Sequence, residues 1–224
     1  MRCSLVAIPF LALSAELVMA QAPGAAVRLP PPDRTGTAPL ESLLDRRHST
    51  REFADRPLDL GTVSQFLWAA GGVHRSGGRR TIPSAGALYP LEIYLVAGAV
   101  SGLGAGVYRY GPRSHTLALT TEGDMRGRLT ASAVGQRWMI TAPAVLVVAA
   151  EYERTTGKYG ERGIRYAQIE VGAVAQNVYL QAEALGLGTT LVGAFDDAEV
   201  AQVLGLPAEH RPLGLLPVGS PALR

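Results

Sequence analysis

The chain has 224 residues, 47% of them hydrophobic and 18% charged, with a formal net charge of +2. So apolar and weakly charged a chain collapses around a core, which excludes disorder and a coiled coil, and its small cationic surplus makes no broad field for nucleic acid. One cysteine, Cys3, excludes a disulfide framework and any cysteine-based metal or redox centre.

From the N-terminus, residues 1–20 read as a signal peptide. Arg2 precedes an apolar run, Leu5 to Leu13, that Pro9 alone interrupts and that is too short to span a bilayer; Val18-Met19-Ala20 then offers a cleavage site before Gln21. Cleavage implies export, periplasmic or secreted, with no stable membrane association afterwards; a plain N-terminal tail on a cytoplasmic protein is the alternative. Residues 21–38, with Pro30-Pro31-Pro32, read as a Pro/Gly-rich linker, and residues 39–224 as one domain.

Leu40, Leu43 and Leu44 predict a first helix ending at Arg47, and Thr62 to Ala70 a second. A glycine- and arginine-rich loop, Gly71 to Thr81, leads to a buried strand over Leu91 to Ala97. Gly106–Tyr110 and His115–Leu119 form a hairpin, Glu122 to Val134 a helix, and Ala144 to Ala150 a nearly continuous apolar strand. The longest helix runs from Glu161 to Leu185, with Ile164, Val171, Val174, Ala175, Val178, Ala182 and Leu185 on one stripe and Gly186 closing it. Thr189 to Val192 is a short strand, Asp196-Asp197 opens a helix to Leu204, and Leu213 to Val218 is a last strand. Helices separating strands around one early hairpin give an α+β fold of mixed α/β layers.

Several chemistries lack their residues. Gly102 to Gly106 has the wrong glycine spacing for a dinucleotide loop and runs into a strand, not a helix. Phosphate-binding and nucleophile-elbow motifs are missing, and His48, His74, His115 and His210 have no metal-ligand spacing. Arg75, Arg79 and Arg80 read by default as a solvated loop.

Three stretches remain. Arg46-Arg47-His48-Ser49-Thr50-Arg51-Glu52-Phe53 gathers guanidinium groups and hydroxyls within one turn of chain, as a phosphate monoester requires, although arginines near the negative pole of a helix end are equally natural. Thr81 to Pro90 sets the small residues Ser84, Ala85, Gly86 and Ala87 between two prolines, which by itself is a tight turn with room for a flat ligand. Lys158-Tyr159 contains the only lysine among 21 basic residues, and lysine, unlike arginine, can surrender its charge when desolvated.

The order of Arg-Arg-x-Ser-x-Arg-x-Phe, Pro-Ser-Ala-Gly-Ala-Leu-Tyr-Pro, Lys158-Tyr159-Gly160-x-Arg162 and Gly186-Leu187-Gly188 to Gly193-Ala194-Phe195-Asp196 resembles the flavin-dependent nitroreductase superfamily. Within it, the string resembles the SagB-type azoline dehydrogenases, which oxidise thiazolines and oxazolines in peptides. The resemblance implies a central mixed sheet flanked by helices, an intertwined homodimer, FMN at its interface, NAD(P)H as a candidate co-substrate, and a small-molecule or peptide substrate. It implies that Arg47, Ser49 and Arg51 hold the phosphate, ribityl chain and N1/O2 edge of FMN. Ser84, Ala85 and Gly86 line the flavin from the other subunit, Gly193 and Ala194 lie near N5, and Lys158 and Tyr159 remove a substrate proton. Ser220 stands where the family usually carries a phosphate-binding arginine, with Arg224 as a candidate substitute. An FMN-dependent oxidoreductase passing hydride through N5 is the resulting expectation; the alternative is a flavin-binding or flavin-sensing protein without turnover.

Overall fold

Two aspartates start helices. Asp59 accepts the Thr62 N–H and the Thr62 hydroxyl, each at 2.8 Å, and Asp196 accepts the Glu199 N–H at 2.8 Å, which fixes helix starts at Leu60 and Asp197. The computed structural model describes residues 26–74 and 77–222. In chain order its elements are β1 (Val27–Arg28), α1 (Leu40–Arg46), β2 (Leu58–Asp59), α2 (Leu60–Gly71), β3 (Leu91–Ala97), β4 (Val100–Ser101), β5 (Gly106–Gly111), β6 (Thr116–Glu122), α3 (Arg126–Ser132), β7 (Ala144–Glu151), α4 (Glu153–Tyr159), α5 (Arg162–Ala184), β8 (Gly188–Thr189), α6 (Asp197–Leu204) and β9 (His210–Gly219).

The main sheet has seven strands in the order β1-β6-β5-β3-β7-β9-β8, and every neighbouring pair is antiparallel. The expected mixed sheet is thereby corrected, since parallel pairing is confined to the separate β2–β4 pair. The largely apolar runs of β3 and β7, with Glu92 and Glu151 the charged exceptions, report burial on both faces and carry no information about strand direction. Leu91, Ile93 and Leu95 of β3 join Leu146 and Val148 of β7 beneath α2 and α5. Tyr94 and Val96 join Val145 and Val147 on the other face, beneath α3, α6 and the 3-10 turn Arg137–Thr141. The result is an α+β arrangement of helix, sheet and helix layers.

Helix α5 buries Ala167, Val171, Val174, Ala175, Val178 and Ala182. Ile164 and Leu185, expected on the same stripe, are 38% and 39% exposed and join Ile169, Leu40 and Leu44 as uncovered apolar surface. The helix expected from Glu122 shortens to α3 because β6 continues to Glu122, and α4 is an additional short helix.

The linker expectation also changes from Val27 onward. Strand β1 pairs with β6, Leu29 is buried, Ser64 donates to the Pro30 carbonyl at 2.6 Å, and Asp33 and Gln65 exchange two hydrogen bonds at 2.9 Å. Prolines lack N–H groups but keep carbonyls, which is what this domain surface binds. Residues 1–20, and with them the signal-peptide expectation, lie outside the described residues. Among the described residues, no helix is long and apolar enough to cross a membrane.

Candidate functional site

The segment after α1 is laid along β8, with the Thr50 N–H donating to the Thr189 carbonyl at 2.9 Å. Gly188 permits that approach, because a Cβ there would sit 2.6 Å from the Thr50 Cβ. Tyr179 of α5 gathers the surroundings. Its hydroxyl lies 3.0 Å from Ser49 Oγ, donates to Thr190 Oγ1 at 3.1 Å and accepts the Leu191 N–H at 3.0 Å, while the Arg47 guanidinium sits 5.1 Å over its ring. Burial raises the phenol pKa, but its hydrogen bonds with Ser49, Thr190 and Leu191 and the charge of Arg47 outweigh it and leave the group below its usual range.

Ser49 and Arg51 are exposed, as are Gly193 and Ala194, which follow Leu191 directly in the chain after Val192. Ala194 is tied back by its carbonyl to the Val134 N–H at 3.0 Å, and a Cβ on Gly193 would meet nothing within 4 Å. The end of β9 runs alongside: the Ala54 N–H donates to the Ser220 carbonyl at 2.9 Å and the Ala222 N–H to the Glu52 carbonyl at 3.0 Å. Ser220 thus flanks the Arg51 segment; Arg224 lies outside the described residues.

The second cluster forms around the turn Ala85–Ala87. The Ser84 hydroxyl donates to Glu170 Oε1 at 2.9 Å and accepts the Tyr89 N–H at 2.8 Å; the Ala85 N–H reaches the same Oε1 at 2.9 Å. Gly86 has φ +61°, and a Cβ there would lie 2.6 Å from the Tyr159 hydroxyl and 3.1 Å from Lys158 Nζ. Lys158 Nζ stands 5.3 Å over the Tyr159 ring, which meets the Tyr166 ring edge-on at 5.2 Å. The turn is held from below by Arg154, which donates to the Tyr89 carbonyl at 2.9 Å and pairs with Glu92 at 2.7 Å and with Glu151.

Glu92, Glu151 and His210 approach as metal ligands would. Arg109 and Arg154 already neutralise the carboxylates, and Tyr94 engages His210 Nδ1 at 2.7 Å, so the group is an ion-pair network. Arg80 departs from the solvated-loop expectation: it stacks 4.8 Å over Tyr89 and donates to the Leu91 carbonyl at 3.2 Å.

Arg47 and Ser49 therefore meet the approach to Gly193 and Ala194, and Ser84, Ala85 and Gly86 meet Lys158 and Tyr159. Among the described residues, no hydrogen bond, ion pair or ring contact joins the two clusters. Glu170 anchors one and Tyr179 the other; nine residues along α5 put them about 13 Å apart on the axis and half a turn around it. Tyr179, Glu170, Thr190 and Arg154 are functional candidates that sequence reasoning did not single out. Only Glu170 carried a signal, as a carboxylate between the buried positions Ala167 and Val174 of an apolar helical stripe.

Known proteins share this architecture. The chain is 48% identical over 180 residues to MJ1384 of Methanocaldococcus jannaschii, named as a nitroreductase, covering 80% of this chain and 90% of that one. It is 30% identical over 169 residues to the microcin B17-processing protein McbC of Escherichia coli, covering 72% of this chain and 62% of McbC, less than two thirds of the latter. A crystal structure from Ralstonia eutropha JMP134, also named as a nitroreductase, matches with a TM-score of 0.79 and 34% identity over 89% of this chain and 90% of that one. A model of the nitroreductase family matches residues 44–220, most of the chain and nearly all of the described domain, so this protein belongs to the nitroreductase family.

Proposed function

We propose that the protein is an FMN-dependent oxidoreductase of the SagB-type dehydrogenase kind, working as a homodimer on a small-molecule or peptide substrate. The observation that carries this reading is the placing of a lysine amine and a tyrosine hydroxyl against one glycine of the Ser84–Ala87 turn. A binding protein without turnover has no use for that pair.

The donor set fits a phosphate-bearing flavin. Arg47 and Arg51 supply guanidinium forks, Ser49 a hydroxyl, and Gly193 leaves the adjoining space clear. Bound flavin supplies hydride transfer at N5, chemistry that no side chain here provides. Arg47, Ser49 and Arg51 hold its phosphate, ribityl chain and ring edge. The Ser84 hydroxyl is already committed to Glu170 and Tyr89, so Ser84, Ala85 and Gly86 line the ring mainly as a rigid surface. Lys158 takes the substrate proton at Nζ, and Tyr159, beside it, orients or relays that proton. Because the cation cluster and the amine–phenol cluster occupy opposite ends of α5, a complete site needs two chains, each lending its turn to the other's arginines. Leu40, Leu44, Ile164, Ile169 and Leu185 are the uncovered apolar residues such a partner would bury. The microcin B17 processing for which McbC is named supports a peptide substrate; NAD(P)H as hydride donor is the other direction the same site supports.

The test is an anaerobic absorbance titration at the flavin band with the Lys158→Arg variant beside the wild type. Arginine keeps the charge but cannot serve as a base. Dehydrogenation of a proton-yielding substrate should fall by about 10²–10⁴-fold, while bleaching by a nicotinamide persists. Wild-type dehydrogenation in the variant would remove the base role and leave a plain flavin reductase.

A further inference from the structure

We infer that Glu170 is the positioning residue through which α5 sets the Lys158–Tyr159 pair. The side chain is 5% exposed, and a single oxygen, Oε1, receives both the Ser84 hydroxyl and the Ala85 N–H at 2.9 Å. Ser84 passes the restraint on by accepting the Tyr89 N–H at 2.8 Å. Both ends of the turn thus converge on one carboxylate. Between them lies Gly86, in a left-handed conformation that only glycine adopts readily, and its bare face is where the Tyr159 hydroxyl and Lys158 Nζ come to rest.

Glu170 makes no hydrogen bond to the pair and is no catalytic group. It acts by fixing the surface against which the pair is seated. Tyr166, one turn earlier on α5, packs edge-on against Tyr159, so one helix grips the pair from two directions. The second carboxylate oxygen, Oε2, is buried without a hydrogen-bond partner among the described residues. A buried acceptor left idle is costly, and an apolar residue at this place in the stripe would avoid that cost. The carboxylate is retained where it gives one strong, charge-assisted anchor for two donors.

The meaning of this anchor for catalysis rests on the flavin reading; the anchor itself does not, and the experiment separates the two. Glu170→Ala, Glu170→Gln and Ser84→Ala are compared with wild type, without flavin, by hydrogen exchange at the Ala85 and Tyr89 amides. The same proteins are acylated with an amine reagent; because Lys158 is the only lysine of the chain, its tryptic peptide reports the exposure of that one Nζ. Glu170→Ala should speed exchange at Ala85 on the order of tenfold, as expected for the loss of one charge-assisted bond, and should change the Lys158 labelling rate. Glu170→Gln keeps an acceptor oxygen but loses the charge and should restore both in part. Should Glu170→Ala fail to fold, Ser84→Ala carries the test, releasing the Tyr89 amide and altering Lys158 labelling. Unchanged exchange and labelling in a folded Glu170→Ala or Ser84→Ala protein, or no rescue by Glu170→Gln, overturns the inference. FMN titration of the wild type judges the flavin reading separately: absence of binding ends that reading while the exchange result still decides the anchor.

Discussion

Replacing Tyr179 by phenylalanine removes one oxygen and leaves the ring under Arg47 in place. That oxygen serves Ser49, Thr190 and the Leu191 N–H at 3.0 to 3.1 Å. Thr190 is 2% exposed and cannot turn to water, whereas Ser49 is exposed and Leu191 is 39% exposed, so both can be rehydrated. One bond is therefore lost outright and two are partly replaced, which at roughly 0.5–1.5 kcal/mol each predicts a stability loss of about 1–2 kcal/mol. Ser49 also loses the partner that holds its hydroxyl beside Arg47. If Ser49 is a flavin ligand, FMN binding should weaken by about tenfold, equivalent to ~1.4 kcal/mol. Urea denaturation reads the first quantity and quenching of flavin fluorescence the second. A variant with wild-type midpoint and wild-type affinity refutes the assignment of Tyr179 as the organiser of this cluster. A lower midpoint with unchanged affinity refutes only the role of Ser49.

Two further substitutions probe the second cluster and the N-terminal arm. Gly86→Ala forces a left-handed conformation on a residue with a Cβ, at about 1–2 kcal/mol, and sets that Cβ 2.6 Å from the Tyr159 hydroxyl. It should lower the urea midpoint and displace Tyr159, visible as a changed tyrosine ultraviolet difference spectrum. Ser64→Ala deletes the buried hydroxyl that donates to the Pro30 carbonyl and meets His115 Nε2 at 2.7 Å. It should cost about 1–3 kcal/mol and speed tryptic cleavage after Arg28, with the domain core still resistant.

The strands and long helices could be read from the chain because each carries one dominant periodicity. Leu91 to Ala97 alternates into two cores and is apolar except at Glu92, and Asp196 announces α6 through its cap. Strand direction could not be read, since burial on both faces looks the same for parallel and antiparallel neighbours. The arm at Val27 to Asp33 was hidden for a different reason. Its anchoring groups are backbone carbonyls and two isolated polar side chains, Ser64 and Gln65, far away in sequence. The same holds for the site. Arg47, Ser49 and the Ser84–Gly86 turn lie in continuous strings, whereas Tyr179 and Glu170 are single residues inside a helical pattern whose periodicity says only which side is buried. Long-range pairing with a short motif has no local signature; what Glu170 did show was a charge where the stripe called for an apolar residue.

The separation of the two clusters along α5 has a consequence for how activity is distributed between chains. If each complete site takes its arginines from one chain and its amine–phenol pair from the other, a chain carrying Arg47→Ala with Arg51→Ala and a chain carrying Lys158→Arg are each inactive as homodimers, for different reasons. In a mixed dimer one site collects all the defects, and the other takes intact arginines from the Lys158→Arg chain and an intact Lys158 from its partner. Random mixing therefore places one restored site in each heterodimer, and half of all dimers are heterodimers when exchange is complete, so the mixture should recover about a quarter of the wild-type sites under the two-fold symmetry of such assemblies. Refolding the two variants together, then measuring dehydrogenation, reads that fraction directly. A site built within one chain predicts no recovery at all, because every arginine-deficient chain would keep its own Lys158 and every Lys158→Arg chain its own arginines. Recovery without mixed dimers by native mass spectrometry, which separates the three dimers by mass, would likewise sink the shared-site reading. The geometry favours recovery, since a straight helix cannot bring Glu170 and Tyr179 to one side of itself, and the exposed Ile164, Ile169 and Leu185 lie along that same helix.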